Sequence, residues 1–292
     1  MVRGDVDAIT EAFLSRNKRR EQYERYAEEN RRGARVTLVA VVGERVVGYG
    51  NVLWESGYEP FRRAGIPEIN DLNVVAEHQN RGVGRALIRR AEGVVAEAGR
   101  AVVGIGVGQT PDYAAAQHLY PRLGYVPDGT GPHATRYGDV VYLTKRLRAV
   151  VFREATVADV PAMSEVRLSV RENVLSDPRK VTREMYVAYL GEAGKGWLCE
   201  EGGEVVGFSV ASLADASIWA LFVRPEHEGR GVGARLLRLA TDWLFRMGAS
   251  SITLGTEAGT RADTFYERQG WQRGEIKQGG EVTYLLRRAG RT

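Results

Sequence analysis

Two glycine-spaced loops are the segments of this sequence whose residue types and spacing could bind an anionic ligand. The first loop, Gln79–Gly84, follows the apolar run Leu72–Val75, and the second loop, Glu228–Gly233, follows the apolar run Leu221–Val223. Glycine lacks a Cβ, so the backbone of each loop can approach a ligand closely. Helix-forming sequence follows each loop, and the first amides of a helix are unpaired and lie at the positive end of its dipole. Each loop therefore predicts a phosphate or pyrophosphate site.

The two loops belong to a repeat that covers most of the chain. Gly82 matches Gly231 and Gly84 matches Gly233 at one constant spacing, and the apolar and charged residues around them recur at matching places. A repeat found twice indicates a tandem duplication, because a solenoid needs at least about three copies. The sequence therefore predicts an N-terminal domain over residues 1–148 and a C-terminal domain over residues 149–292.

Both halves predict the same order of elements: helix, β-hairpin, strand, glycine loop, helix, strand, helix, strand. We expect an α/β (α+β) fold in which each tandem domain has a mixed, mainly antiparallel twisted sheet flanked by helices. The sequence predicts one helix over residues 5–30, preceded by the short segment Met1–Arg3. We therefore expect the first strand to be reduced in the first half. In the second half, Val150–Arg153 forms that strand. The first half also has an insertion around Tyr58–Pro67, which either covers the site or only lengthens a loop.

Composition restricts the class of protein. The chain of 292 residues has a net charge of +4 and a single cysteine, Cys199. One thiol allows neither an internal disulfide nor a cysteine metal cluster and suits a reducing cytoplasm. No apolar run is long enough to span a membrane. The excess positive charge lies in the first half and is modest, so it suits an anionic cofactor and does not by itself argue for nucleic acid.

A second motif follows each glycine loop and gives the chain a family resemblance. The motif is Ala-x-x-x-Tyr-x-x-x-Gly-aromatic, and its residues are Ala116, Tyr120, Gly124 and Tyr125 in the first half and Ala262, Tyr266, Gly270 and Trp271 in the second. Together with the loop pattern Gln/Arg-x-x-Gly-x-Gly/Ala, it resembles the GNAT superfamily of acetyl-CoA-dependent N-acetyltransferases. The resemblance covers nearly the whole chain and implies two tandem GNAT-type domains.

The resemblance implies acetyl-CoA as cosubstrate, bound where the central strand meets the glycine loop, and no metal. The residues implied to contact it in the first half are Leu72, Asn73, Val74, Gln79, Asn80, Arg81, Gly82, Val83, Gly84 and Arg85. Those in the second half are Phe222, Val223, Gly229, Arg230, Gly231, Val232, Gly233 and Ala234. Glu228 departs from the Gln or Arg of the family, and an acid there could repel a pyrophosphate unless its side chain points away.

The resemblance also implies an acid and an oxyanion donor. Tyr120 and Tyr266 match the family tyrosine that protonates the departing thiolate. The backbone amide of Val74 or Val223 would polarise the thioester carbonyl. Direct attack in a ternary complex is expected from the resemblance, and no covalent acyl-enzyme is implied, since the sequence shows no activated Cys or Ser.

Carboxylates on the central strand are the candidate catalytic bases. Glu68 and Asp71 interrupt an otherwise apolar strand of the first half, where an acid is costly to bury and therefore invites a functional interpretation. Strand side chains alternate, so we expect these two to face opposite sides of the sheet, with one of them able to reach a given substrate. The matching positions in the second half carry Ser217 and Ala220. Other acids that could substitute in the second half are Glu172, Glu200 and Glu257.

These observations predict a cytoplasmic N-acetyltransferase that transfers an acetyl group to a primary amine of a small molecule. One alternative is that one or both halves bind acyl-CoA without turnover, as structural modules. Another is that the acceptor is an aminoacyl-tRNA or a protein amine, which the basic run within the first predicted helix favours. Substrate contacts are expected from the loops Trp54–Pro67 and Arg171–Thr182. The identity of the amine and the oligomeric state, a homodimer included, stay open.

Overall fold

The chain divides by its internal contacts into two compact units, Met1–Ala149 and Val150–Thr292. The computed structural model describes residues 3–14, 19–135, 138–172 and 181–288. Parts of two sequence predictions therefore lie outside the described residues: 15–18 within the first predicted helix and 173–180 within the second predicted substrate loop. Each unit is described by itself below.

The first unit is built on a mixed sheet that is almost entirely antiparallel. Its helices are α1 (Arg3–Ala12), α2 (Arg20–Arg31), α3 (Glu59–Ala64), α4 (Val83–Glu97) and α5 (Ala114–Arg122). Its strands are β1 (Arg35–Val42), β2 (Arg45–Leu53), β3 (Glu68–Val74), β4 (Val102–Gly108), β5 (Val126–Thr135) and β6 (Gly138–Arg146). The strand order is β1-β2-β3-β4-β6-β5, and β3 and β4 are parallel while the other neighbours are antiparallel.

The second unit repeats this arrangement with one more strand at its edge. Its helices are α6 (Val160–Ser169), α7 (Arg183–Tyr189), α8 (Val232–Arg246) and α9 (Arg261–Arg268). Its strands are β7 (Val150–Glu154), β8 (Gly194–Glu201), β9 (Glu204–Ser212), β10 (Ser217–Val223), β11 (Ser251–Glu257), β12 (Gln272–Ile276) and β13 (Glu281–Arg287). The order is β12-β13-β11-β10-β9-β8-β7, with β10 and β11 parallel.

Each sheet is packed on both faces, which fixes the orientation of its side chains. In the first unit, α4 covers one face, called here the α4 face, and α1 and α2 cover the other, called the α2 face. The buried residues of the α4 face include Ile69, Ile88, Val95, Val103 and Ile105, and those of the α2 face include Ile9, Phe13, Tyr23 and Tyr49. In the second unit the α8 face carries Leu236, Ile252 and Leu254, and the α6 face carries Met163, Tyr186 and Phe208.

The predicted fold class and the order of the main elements are confirmed, and three details were wrong. The segment Trp54–Pro67, predicted as a loop, contains helix α3. The helix predicted over residues 5–30 is two helices, α1 and α2. Strands β5 and β12 were not predicted, because their side chains are almost all exposed and show no apolar alternation. Pairing with β6 and β13, respectively, gives these segments their strand conformation. In the described part of the first unit, no strand precedes α1.

Candidate functional site

In each unit two parallel strands separate at the end that leads into the glycine loop. Pairing of β3 with β4 reaches Ile69 in the described structure, although β3 itself continues to Val74. In the described part of the second unit, β10 pairs with β11 at Ser217, although β10 continues to Val223. The ends of β3 and β10 therefore border a gap in their sheets.

The glycine loop of the first unit holds the start of α4 in the geometry of an anion site. Gly82 is the N-cap residue with φ 86°, a left-handed conformation that glycine adopts without steric cost. No side chain caps this helix among the described residues, and its first intrahelical bond runs from the Ala86 amide to the Gly82 carbonyl at 3.0 Å. The amides of Val83, Gly84 and Arg85 precede that bond and form the cradle that a pyrophosphate requires.

The second loop has the same backbone. Gly231 is the N-cap of α8 with φ 95°, and the Arg235 amide donates to its carbonyl at 3.0 Å. Two residues earlier, Gly229 has φ 71°, and its counterpart Asn80 in the first loop has φ 57°. Asparagine and glycine are residues that tolerate this left-handed conformation. Both cradles therefore fit a pyrophosphate by their main-chain geometry.

The arginines of the two loops differ in their surroundings. Arg81 of the first loop is exposed. Arg230, at the matching place, donates to both carboxylate oxygens of Glu201 at 2.6 and 2.8 Å, and His227 Nε2 lies 2.7 Å from the same carboxylate. Glu201 is 5% exposed. The second loop is thus fastened to its sheet by an ion pair that sequence reasoning missed, because the partners are 29 residues apart.

Glu228, which replaces the Gln or Arg of the family pattern, forms an ion pair. Gln79 of the first loop donates from Nε2 to the Val74 carbonyl at 3.1 Å and so closes the loop onto the end of β3. Glu228, at the matching place, pairs instead with Arg261 at the start of α9. The sequence predicts repulsion between Glu228 and a bound pyrophosphate, and this ion pair reduces that repulsion.

The expectation that Glu68 and Asp71 face opposite sides of the sheet is wrong. Glu68 pairs with Leu53 and Asn73 pairs with Tyr49 across the antiparallel ladder, so Glu68 lies on the same face as Tyr49. The Asp71 carboxylate accepts a hydrogen bond from the Tyr49 hydroxyl at 2.9 Å and is therefore on that face as well. The reason is a β-bulge: the register shifts at this point, and Asp71 has φ 50°. Both acids lie on the α2 face.

Asp71 is the centre of a polar cluster beneath α2. Its carboxylate accepts hydrogen bonds from the hydroxyls of Tyr26 and Tyr49 at 2.9 Å each, from Asn73 Nδ2 at 2.9 Å and from Gln22 Nε2 at 3.2 Å. Burial, and after it the charge of Asp71, raises the pKa of both tyrosines well above the usual range. Both phenols therefore stay protonated and act as donors to the carboxylate, which itself stays partly exposed.

Glu68 is enclosed more completely. It is 5% exposed and accepts hydrogen bonds from Ser56 Oγ at 2.5 Å and from Asn70 Nδ2 at 3.1 Å. Ser56 also accepts a hydrogen bond from the Tyr58 amide at 3.0 Å. Glu68 therefore fixes the start of the inserted segment to the sheet.

The insertion packs against the outer strands of the first unit through Tyr58. The Tyr58 hydroxyl donates to Asp128 at 2.9 Å and lies 2.7 Å from Thr130 Oγ1 and 3.0 Å from His133 Nε2. Its ring stacks on Tyr142 with centroids 3.6 Å apart. The inserted residues are thus joined to β5 and β6, and sequence spacing alone gave no sign of these contacts.

The two motif tyrosines are buried in matching places. Tyr120 is 6% exposed and Tyr266 is 7% exposed. Burial raises the pKa of Tyr120 to about 12 and raises the pKa of Tyr266 further, so both hydroxyls hold their protons at neutral pH. A Cβ at Gly84 would lie 4.0 Å from the Leu119 side chain, and a Cβ at Gly233 would lie 3.8 Å from Phe265. In each unit the residue before the tyrosine thus contacts the start of the loop helix.

The second unit lacks an acid at the positions of Glu68 and Asp71. Ser217 donates to Asp215 at 2.8 Å, and Ala220 is buried. Two of the acids considered as substitutes have other partners. Glu200 pairs with Arg153 at 2.5 Å, and Glu172 accepts the Arg261 amide at 2.9 Å.

The described residues contain no candidate metal site and no candidate membrane-spanning helix. No group of three or more His, Cys, Asp or Glu side chains there is arranged to hold a metal ion. Across the same residues, no helix combines the length and the apolar character needed to cross a membrane.

Comparisons with known proteins agree with the duplication of the chain. A family model described as "Acetyltransferase (GNAT) family" matches residues 6–125 and 163–271. A curated relative, the uncharacterized N-acetyltransferase YhfO of Bacillus subtilis, is 36% identical over 98 residues, which are 30% of this chain and 63% of that protein. The chain therefore spans less than two thirds of the length of this relative.

Solved structures similar to the chain each cover about half of it. The ribosomal-protein-S18-alanine N-acetyltransferase of Escherichia coli is 19% identical, with a TM-score of 0.40, and covers 48% of this chain and 96% of its own. The PaiA N-acetyltransferase of Thermoplasma acidophilum, solved in complex with coenzyme A, is 16% identical, with a TM-score of 0.43, and covers 48% and 99%.

Proposed function

The chain belongs to the acetyltransferase (GNAT) family, and from this premise we propose that it is a cytoplasmic N-acetyltransferase that acetylates a primary amine of a small molecule. The observation that carries the proposal occurs in both units. A strand leaves its parallel neighbour and leads directly into a helix start that no side chain caps among the described residues. Acetyl-CoA supplies the acetyl group as a thioester when it is bound.

The main chain of the first unit would hold the cofactor. The amides of Val83, Gly84 and Arg85 are positioned to donate to the pyrophosphate, with Arg81 exposed beside them. The main chain of β3 from Leu72 to Val74 borders the gap in the sheet and would line the pantetheine arm. The matching residues of the second unit offer the same cradle, with Arg230 held by Glu201.

Asp71 is our candidate for the group that receives the proton of the amine. It lies on the α2 face beside the gap and stays partly exposed, whereas Glu68 is enclosed by Ser56 and Asn70. A carboxylate there would also attract the cationic amine before it loses its proton. Its left-handed backbone is a strained conformation of the kind that clusters at functional sites. Tyr26 and Tyr49 would keep the carboxylate oriented.

Tyr120 is our candidate for the acid. Its raised pKa keeps the phenol oxygen protonated at neutral pH, so the hydroxyl can donate to a thiolate. Its helix α5 contacts the start of α4 through Leu119, which places the tyrosine in the same part of the unit as the loop. Tyr266 has the same surroundings in the second unit.

A second candidate function concerns the second unit, which could bind acyl-CoA without turnover. Three observations favour it: Ala220 stands where the first unit has Asp71, Arg230 is engaged by Glu201, and Glu228 stands where the first loop has a glutamine. The first unit therefore has the fuller set of catalytic groups.

Release of free coenzyme A thiol from acetyl-CoA, measured with a panel of amines, tests the proposal. Tyr120→Phe should lower turnover strongly and Tyr266→Phe only weakly. If Tyr266→Phe alone abolishes turnover, the second unit is the active one. If no amine gives thiol release while coenzyme A binds, both units are binding modules.

An amine on a protein or an aminoacyl-tRNA is the alternative acceptor. The basic run that favours it lies partly outside the described residues, and Arg20 at its end pairs with Asp7 and Glu24. RNA binding that weakens steeply with salt would support this acceptor over a small molecule. The domain boundary after residue 148 also stays a prediction, which cooperative melting of each half as a separate chain would test.

A further inference from the structure

The α6 face of the second unit contains a half-buried arginine, Arg167, with two nitrogens that have no hydrogen-bond partner among the described residues. Arg167 Nε and Nη1 are buried and have no hydrogen-bond partner among the described residues. An arginine side chain cannot lose its charge at neutral pH and carries five N–H donors. Buried donors of a charged group that lack a partner cost free energy. A ligand that brings a hydrogen-bond acceptor to these nitrogens would therefore be bound favourably.

Arg167 is placed beside the gap in the sheet. Its guanidinium carbon lies 4.6 Å from the ring centre of Phe222 and 5.3 Å from that of Trp219, both on β10. Trp219 is the extra residue of a β-bulge, since its neighbours Ile218 and Ala220 pair with consecutive residues of β9. The cation therefore lies against the strand that borders the gap, on the face opposite α8.

A second unsatisfied polar group lies beside the same tryptophan. Tyr186 is 2% exposed, its hydroxyl has no partner in the described part of the chain, and its ring packs edge-on against Trp219 at 5.3 Å. Tyr189 stacks on Trp219 from another direction at 4.5 Å. A guanidinium and a phenol thus both offer unused donors around Trp219, and donors of these two types bind a carboxylate.

The first unit has an acid at the matching positions of its central strand, on a face that also holds the buried Arg35 over the Tyr26 ring. The residues that match Trp219 and Ala220 are Asn70 and Asp71, and Asp71 supplies a carboxylate to that face. The two units therefore differ at these positions of the central strand.

We infer that the second unit binds a carboxylate through Arg167, with Tyr186 as a further donor, on the side of β10 from which an acceptor would approach the gap. The ligand class is a small molecule that bears a carboxylate group. The statement that this ligand is the acetyl acceptor rests on the proposed function. Binding of the carboxylate itself is measured without acetyl-CoA. Failure of acetyl transfer therefore does not decide it.

The test compares ligand pairs of the same shape in which a carboxylate is replaced by its primary amide. Benzoate with benzamide and L-phenylalanine with L-phenylalaninamide are titrated into the full-length protein, followed by tryptophan fluorescence and by calorimetry. The Trp219→Phe variant identifies the part of the fluorescence change that comes from this site. At least one carboxylate should bind about tenfold or more tightly than its amide, as expected for a charge-assisted hydrogen bond.

The Arg167→Met variant should remove this preference, while Arg238→Met, on an exposed part of α8, should retain it. If Arg167→Met does not fold by circular dichroism, Arg167→Lys keeps the charge, loses the planar fork and should weaken carboxylate binding several-fold. Equal affinity for each carboxylate and its amide, no binding of any carboxylate, a preference that survives at Arg167→Met, or carboxylate binding that is not weakened at Arg167→Lys would overturn the inference.

Discussion

The two glycines of the first loop should respond in opposite ways to replacement by alanine. Gly82 has φ 86°, where a Cβ meets the following carbonyl oxygen, whereas Gly84 lies inside α4 with an ordinary helical φ. A Cβ at Gly84 would point into the protein, 3.7 Å from Leu72, 3.9 Å from Val74 and 4.0 Å from Leu119, which are normal contact distances. The same chemical change is therefore strained at one position and accommodated at the other.

The magnitudes follow from these two conformations. Holding alanine in the left-handed region at position 82 costs about 1–2 kcal/mol, or the loop relaxes and turns its amides away from the ligand. Replacing the helical Gly84 with alanine should stabilise the fold by about 0.5–1 kcal/mol. For a unit of this size, 1 kcal/mol corresponds to a shift of the melting midpoint by about 2–4 °C.

Calorimetric titration with coenzyme A and thermal melting of both variants test this reasoning. We expect Gly82→Ala to lower the melting midpoint and to weaken coenzyme A binding about tenfold. Gly84→Ala should raise the midpoint slightly and change the affinity less than threefold (about 0.6 kcal/mol). The reasoning fails if Gly84→Ala weakens binding as much as Gly82→Ala, because the Gly84 side chain position would then face the ligand.

Four further predictions concern charged side chains. Asp71→Asn should lower turnover about 10²–10⁴-fold if this carboxylate takes up the amine proton, with coenzyme A binding unchanged in calorimetry. Arg230→Met leaves the Glu201 carboxylate buried without its main partner and should lower the free energy of unfolding in urea by about 3–5 kcal/mol. Arg81→Met removes an exposed arginine, so it should leave unfolding unchanged and weaken coenzyme A binding several-fold. The Arg273 guanidinium holds the pKa of Asp263 well below its usual range. This pair therefore stabilises the fold fully above about pH 4, and its contribution decreases as the pH falls further. The melting-midpoint difference between wild type and Asp263→Asn should shrink between about pH 5 and about pH 3.

The outcomes that would contradict these predictions differ in kind. Unchanged turnover of Asp71→Asn would show that this carboxylate is structural and that Glu68 or water takes the proton. Equal unfolding of Arg230→Met and wild type would show that His227 alone compensates the buried acid. A constant difference in melting midpoint across the pH range would remove Asp263 as the source of acid sensitivity.

The sequence by itself determined the duplication, the fold class and the places of the two glycine loops. These features depend on local rules, because a left-handed glycine before a helix and an apolar strand before a loop are encoded by neighbouring residues. The rule that side chains alternate between the two faces of a sheet fails along β3 at Asp71. A β-bulge in the pairing of β3 with β2 turns the Asp71 side chain onto the face that carries Glu68.

Tertiary structure alone decided which charged groups meet. Glu201 reaches Arg230 across 29 residues, and Tyr58 reaches His133 across 75. A Cβ at Gly104 would lie 2.0 Å from the Phe61 ring, so that glycine is needed for the insertion to pack on the sheet. Such contacts depend on the register of distant strands and on the depth at which each side chain is buried. Residue types and spacing therefore predicted the proposed ligand cradle, whereas the folded chain set the partners, exposure and charge of the groups around it.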